Sequence, residues 1–249
     1  MSHIAEKKPS DPGRTLALLW GTAPAAPARG PRPKFSLEEV VSAGIHVADT
    51  DGLDALSMRR VADHLGIGTM SVYTYVPGRS ELLHLMYDRA MGPTPPLPEG
   101  TTWRQALRHY AELGRDLFDR HPWTLRVSGP GLLLMSPNST ARSEAVYAAL
   151  APLGLPGSEQ YAIAATLDGY VRGICQSTAD IAADFTGPDD YGRWWEEATP
   201  HLTALIARDR FPHLYDLWEQ GAFEVEVDHA FGFGLDRILD GIERHLDAR

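Results

Sequence analysis

The stretch Leu56-Ser57-Met58-Arg59-Arg60-Val61-Ala62-Asp63-His64-Leu65-Gly66-Ile67-Gly68-Thr69-Met70-Ser71-Val72-Tyr73-Thr74-Tyr75-Val76 decides how the chain is organised. Ser57 suits a helix N-cap, where its hydroxyl can accept from a free backbone N–H. Met58, Val61, Ala62 and Leu65 then recur at helical spacing along one face. Gly66 stands where a left-handed C-terminal residue belongs. After Gly66-Ile67-Gly68, a second short helix is predicted over Thr69 to Tyr75, ended by Pro77-Gly78. Two short helices joined by three or four residues around a glycine form a helix-turn-helix. Ala62 is small where the pair would cross, and Ile67 and Val72 can plug the space between them.

Working outward, Ser36 and Glu39 have the spacing of a capping box. Leu37, Val40, Val41, Gly44, Val47 and Ala48 follow at helical spacing, and Asp51-Gly52 ends that helix. A further helix begins near Arg79, with Leu82, Leu83, Leu85 and Met86 facing inward. Residues 1–34 carry Pro9, Pro12, Pro24, Pro27, Pro31 and Pro33 and read as a flexible Pro/Ala-rich basic arm. The segment from Gly92 to Pro98 is again proline-rich, and no helix can cross it. From residue 101 the pattern is helical to the end, and no stretch alternates as a strand would. The expected fold is all-α. Residues 35–92 form a helix-turn-helix head and residues 101–249 a larger helical domain.

At 249 residues, with 43% hydrophobic and 22% charged, the chain has the composition of a globular protein with a sizeable core. No apolar run approaches the roughly 18–20 residues of a membrane span, and none resembles the apolar segment of a secretory signal. The single cysteine, Cys175, rules out an intrachain disulfide and suits a reducing cytoplasm, where the protein is expected. The net charge of −10 is unevenly spread. Residues 1–91 hold 10 basic and 10 acidic side chains, and residues 92–249 hold 13 and 23. A neutral N-terminal stretch, arm and head together, on an acidic remainder can still bind nucleic acid if its basic groups share a face.

The outward residues of the second short helix are Thr69, Met70, Ser71, Tyr73, Thr74 and Tyr75. Hydroxyl donors and flat aromatics suit phosphate oxygens and base edges, including thymine methyls. Arg59, Arg60 and Arg79 could hold the flanking backbone. Arg29, Arg32 and Lys34 could enter an adjacent minor groove, although a solvated tail would have the same composition. On these residues alone, a DNA-reading helix and an ordinary packed helix pair both stand.

The run from Phe35 to Met91 resembles the N-terminal domain of the TetR family of transcriptional regulators. The resemblance is carried by Ala48-Asp49-Thr50-Asp51-Gly52-Leu53, by Leu56 to Ala62, by Leu65-Gly66-Ile67, by Val72 to Val76 and by Arg79-Ser80-Glu81-Leu82-Leu83. It implies that the Thr69–Tyr75 helix enters the major groove, with Arg59 and Arg79 on phosphates or bases. Pro77-Gly78 departs from the lysine- or asparagine-bearing turn common in the family.

The closing segment presents Phe231, Leu235, Ile238, Leu239, Ile242 and Leu246 as one stripe, with Gly234 and Gly241 on a shared face. A second long helix, near 158–182, carries Ile163, Leu167, Tyr170, Ile174 and Ile181 with Ala165, Gly169 and Gly173. These helices could fill a monomer core or pair with their symmetry mates. Phe231 to Glu243 is similar to the final helix of the tetracycline-repressor-type C-terminal domain, Trp103 with Leu107 to its opening, and Tyr170 to Gly173 to its dimerisation helix. The resemblance implies a homodimer through the helices near 158–182 and 231–246.

A small-molecule inducer is expected in an aromatic-lined cavity, with Trp103, Tyr110, Phe118, Trp123, Tyr147 and Tyr170 as candidates. Tyr110, Gly114 and Ser128 differ from the drug- and metal-binding residues that the tetracycline repressor has at the aligned positions, so the resemblance does not extend to tetracycline. No phosphate loop, dinucleotide fingerprint, nucleophile elbow or zinc-ligand cluster is present, so neither an enzyme nor a cofactor is expected. His84 and Asp88, one turn apart, are a weak metal or catalytic pair. The expected function is a repressor that binds a palindromic operator as a dimer and is released by a small molecule. Two alternatives stand beside it: a regulator controlled by a protein partner or acting as an activator, and a ligand-sequestering helical protein.

Overall fold

The computed structural model describes residues 11–22, 34–127, 135–185, 190–223 and 227–249. The regular elements among these residues are helices, without a strand. In chain order the helices are α1 (Pro12–Leu19), α2 (Leu37–Asp51), α3 (Met58–Leu65), α4 (Thr69–Val72), α5 (Arg79–Met91) and α6 (Trp103–Arg120). They are followed by α7 (Pro137–Leu150), α8 (Gly157–Asp184), α9 (Asp190–Leu205), α10 (Pro212–Glu219) and α11 (Val227–Asp247). Short 3-10 segments lie at Leu53–Ala55, Pro122–Arg126 and Ala151–Leu153. The expected all-α fold, with a helix-turn-helix head and a larger helical C-terminal part, is what the chain adopts.

The head is built as the local chemistry dictates. At the start of α2, the Glu39 amide donates to Ser36 Oγ at 3.1 Å and the Ser36 amide donates to Glu39 Oε2 at 2.7 Å, completing the capping box. Ser57 caps α3 through the Arg60 amide at 3.1 Å, and Gly66 ends it with φ +64°, which glycine adopts without a Cβ penalty. Val40, Val47, Val61, Val72, Leu82 and Met86 are fully or almost fully buried in one cluster shared by α2, α3, α4 and α5. Burying each such side chain is worth about 1.5–3 kcal/mol. The α2–α5 crossing is close: a Cβ on Gly44 would come within 2.8 Å of Met86 Sδ.

Two differences from expectation appear at the N-terminal end. Within the arm expected to be flexible, residues 12–19 form α1. Asp11 caps it by accepting from the Gly13 amide at 3.0 Å, and Pro12 sits at a first-turn position that tolerates it. Thr15 and Leu19 are buried as α1 packs on α5, and Trp20 Nε1 donates to the Met135 carbonyl at 2.8 Å. Arg29 and Arg32 lie outside the described residues. Secondly, α4 proper covers Thr69–Val72. Its continuation to Val76 is a run of turns in which the Thr74 and Tyr75 amides bond three residues back.

The chain divides into two compact units, residues up to Ala164 and residues from Ala165, so the division falls within α8. The proline-rich segment at 92–98 does not mark it, because packing of the head continues past that segment: Leu117, Trp123 and Val127 belong to the same buried cluster as α2 to α5. In the second unit, α8 and α11 meet at Tyr170. Its hydroxyl donates to the Phe231 carbonyl at 2.7 Å, and its ring fills the notch at Gly234. The space at Gly234 is thus occupied by a side chain of its own subunit. Gly169, Gly173 and Gly241 remain open.

Candidate nucleic-acid interface and effector groove

Val72 and Val76 are anchored in the core, which turns Met70, Ser71, Tyr73 and Thr74 outward. Met70 is 77% exposed and Tyr73 43%, which is unusual for large apolar groups and suits a surface meant to be covered. Ser71 is also exposed and Thr69 partly so. The Thr74 hydroxyl donates to the Ser71 carbonyl at 2.6 Å, leaving its oxygen lone pairs facing outward as acceptors. Tyr75 is half-buried against the core, and its hydroxyl accepts from the Phe35 amide at 3.2 Å. That bond pins the chain at Phe35, so Lys34, with its ammonium 5.4 Å from the Phe35 ring centre, stands where the arm meets the recognition segment.

The arginines divide. Arg59 is exposed in the first turn of α3. Arg60 pairs with Asp51, Nη2 to Oδ2 at 2.8 Å. Arg79 turns inward: Nε donates to the Leu56 carbonyl at 2.8 Å and Nη2 to the Leu53 carbonyl at 2.9 Å. It fixes the turn before α3 to the start of α5, a structural task that its sequence position alone did not reveal.

The C-terminal candidates do not converge. A groove of about 420 Å³ runs between the proline-rich segment, α6 and α7, lined by Thr94, Pro96, Tyr110, Ala141, Ala145 and Ala149 among others. Of the six aromatic candidates, Tyr110 lines it; burial pushes its phenol pKa up. Trp103 and Tyr147 are half-buried on α6 and α7. Phe118 is buried, and Trp123 is drawn into the core of the head. Tyr170 packs α8 on α11 and belongs to the second unit. The residues missed from sequence are the small ones. Alanines at 141, 145, 148 and 149 form a groove wall, and Thr94 Oγ1 is shielded from water with no hydrogen-bond partner among the described residues. Asp88, paired in sequence with His84, instead accepts from the Asn138 amide at 2.8 Å and side chain at 3.0 Å, tying α5 to α7. Among the described residues no cluster of three or more metal-ligating side chains occurs, and no helix is long and apolar enough to cross a membrane. Ser128 lies outside the described residues.

Comparison with known proteins identifies relatives of the whole chain. Residues 94–246 match the family model of the tetracyclin repressor-like C-terminal domain. The chain is 42% identical over 238 residues to the HTH-type transcriptional repressor DrrR1 of Streptomyces coeruleorubidus, covering 94% of this chain and 86% of that one. An HTH-type transcriptional regulator of Saccharopolyspora erythraea is 37% identical over 57% of this chain and 60% of its own length. Among solved structures, ActR from Streptomyces coelicolor in complex with actinorhodin superposes with a TM-score of 0.71 at 25% identity, over 84% of this chain and 95% of that one. With its helix-turn-helix head, its helical C-terminal part and these relatives, the chain belongs to the TetR family of DNA-binding transcriptional regulators.

Proposed function

We propose that this protein is a ligand-responsive repressor that binds a palindromic operator as a homodimer and leaves it when a small molecule occupies the C-terminal domain. The observation that carries the DNA half is the exposed face Thr69–Thr74 on a rigidly packed head, with Met70 and Tyr73 uncovered. Thr69, Met70, Ser71, Tyr73 and Thr74 read bases and phosphates, Tyr75 and Lys34 set the edge of the interface, and Arg59 holds the backbone. Arg79 supports the motif from inside.

The exposed Ile181 and Phe233 on α8 and α11, with the open Gly169, Gly173 and Gly241 on the same helices, support pairing of these two helices with their mates. The groove beside Tyr110 falls in the size range of small-molecule sites, about 300–1,000 Å³. It offers apolar walls with one shielded hydroxyl, that of Thr94, to orient a ligand. The ActR–actinorhodin complex supports a small-molecule effector for a protein of this fold.

Mobility shift on DNA flanking the gene, at stated salt, is expected to show a specific site, and a lipophilic ligand library to contain compounds that release it. Absence of a specific site would end the repressor reading. Specific binding that no compound releases would favour a regulator without a small-molecule effector.

A further inference from the structure

One joint between the DNA-binding head and the rest of its compact unit is built around a carboxylate of α2. Asp49 lies near the end of α2, and its Oδ1 accepts two hydrogen bonds from the chain just after α6. Trp123 Nε1 donates at 2.7 Å and His121 Nδ1 at 2.9 Å. A carboxylate can only accept here, which assigns a proton to Nδ1 of the imidazole. Trp123 itself is 4% exposed and packs in the hydrophobic cluster of the head. Five residues along, the exposed Asp54 receives both Nη atoms of Arg126, at 2.9 and 3.1 Å. The 3-10 segment Pro122–Arg126 is therefore gripped by the head at both ends. The first grip is partly buried and shared by two donors, whereas the second is in water, where ion pairs contribute little.

We propose that Asp49 is a positioning residue for DNA binding: through Trp123 and His121 it sets the angle at which α2 is held on the segment following α6. The path to the DNA is short. Asp49 is on α2, α2 packs on α3, and α3 packs on α4. On the other side, Pro122–Arg126 follows directly from α6, the helix that contributes Tyr110 to the groove. The other tie, Asn138 on Asp88, holds α5 to α7, whereas His121 and Trp123 hold α2, the helix on which α3 packs. The inference rests on the proposed function, since it assigns Asp49 a part in DNA binding.

The test compares full-length wild type, Asp49→Ala, Asp49→Asn and Trp123→Phe on the footprinted site and on an unrelated duplex, at one salt concentration. A head freed from its joint spends less time in the competent arrangement, and apparent affinity falls by that fraction. A drop to a tenth would cost about 10-fold. Asp49→Ala is expected to weaken specific binding by about that factor while leaving non-specific binding unchanged. Asp49→Asn keeps an oxygen that accepts both donors and should stay within about twofold of wild type on the same scale. Trp123→Phe keeps the buried ring, loses the N–H, and should fall between them; it decides the matter if Asp49→Ala does not fold. Wild-type affinity in Asp49→Ala or Trp123→Phe, or equal losses in Asp49→Asn and Asp49→Ala, overturns the proposal.

A second readout needs no operator. Labels at Met70→Cys and Ala148→Cys, in a Cys175→Ala background diluted with unlabelled chain, report the distance distribution between α4 and α7. It should broaden in Asp49→Ala and not in Asp49→Asn, and an unchanged distribution overturns the proposal. If wild type has no specific site, the repressor reading falls, and the distance distribution still decides the role of Asp49 in holding the head.

Discussion

Arg79 illustrates how a single side chain can hold a motif together from behind. Its guanidinium spans the Leu53 and Leu56 carbonyls, and a charged donor to a carbonyl is worth more than a neutral one. Arg79→Ala should lower the unfolding free energy by about 1–3 kcal/mol, measured by urea denaturation. A change near zero would place the guanidinium in solvent instead. Asp54 answers to pH. The hydrogen bond from Arg126, then its charge, holds the Asp54 carboxyl below the usual carboxylate range. An acid whose pKa is lowered by folding stabilises the fold above its unfolded value of about 3.9, and that contribution disappears as pH falls through the lowered folded value. The melting difference between wild type and Asp54→Asn should therefore be larger at pH 7 than in acid. A difference that grew on acidification would contradict the pairing. Because Asp54 is exposed, the effect is small and should shrink further in high salt.

At the scale of helices, close approach is the governing constraint. A Cβ at Gly234 would lie 2.7 Å from Tyr170 Cε2, against a ring held by its own hydroxyl bond to the Phe231 carbonyl. Gly234→Ala should cost about 1–3 kcal/mol as overpacking, whereas Gly192→Ala, on α9 where nothing lies within 4 Å, should not lower stability. Thermal melting of the two variants separates these outcomes, and equal melting would contradict the α8–α11 contact. The same contact shows where sequence is legible. Caps at Ser36, Ser57 and Gly66, and the spacing of Val40, Val61 and Leu82, are local signals, and the helices they mark are present. A glycine announces only that something approaches, not whether it is a partner helix or a tyrosine of the same chain. Likewise Pro12 reads as a breaker by composition, yet at the first turn after Asp11 it starts a helix. The short N-terminal helix is then stabilised by packing on α5, which no local pattern encodes. The groove is hard to read in sequence because alanines form much of its wall, while the conspicuous aromatics other than Tyr110 lie outside its lining.

Across the whole molecule, the net negative charge lies beyond residue 91, and the exposed surface of residues 69–74 is polar and aromatic rather than basic. Specificity in such an interface comes from base-edge contacts more than from charge, so its loss can be separated from loss of non-specific binding. A dimer must place two copies of this surface about one DNA turn apart, roughly 34–36 Å. The bearing of the joint at Asp49 on function follows from that requirement, since a small rotation of each head changes the spacing of both. The most direct measurement is a footprint and binding curve for wild type and Tyr73→Ala on the flanking DNA, with sedimentation of both proteins. Wild type should protect a palindrome whose half-sites are one turn apart. Tyr73→Ala should lose about 10-fold or more in specific affinity, the worth of one good base contact, and sediment as the same dimer. Unchanged affinity in Tyr73→Ala, or protection without a repeated half-site, would contradict the account.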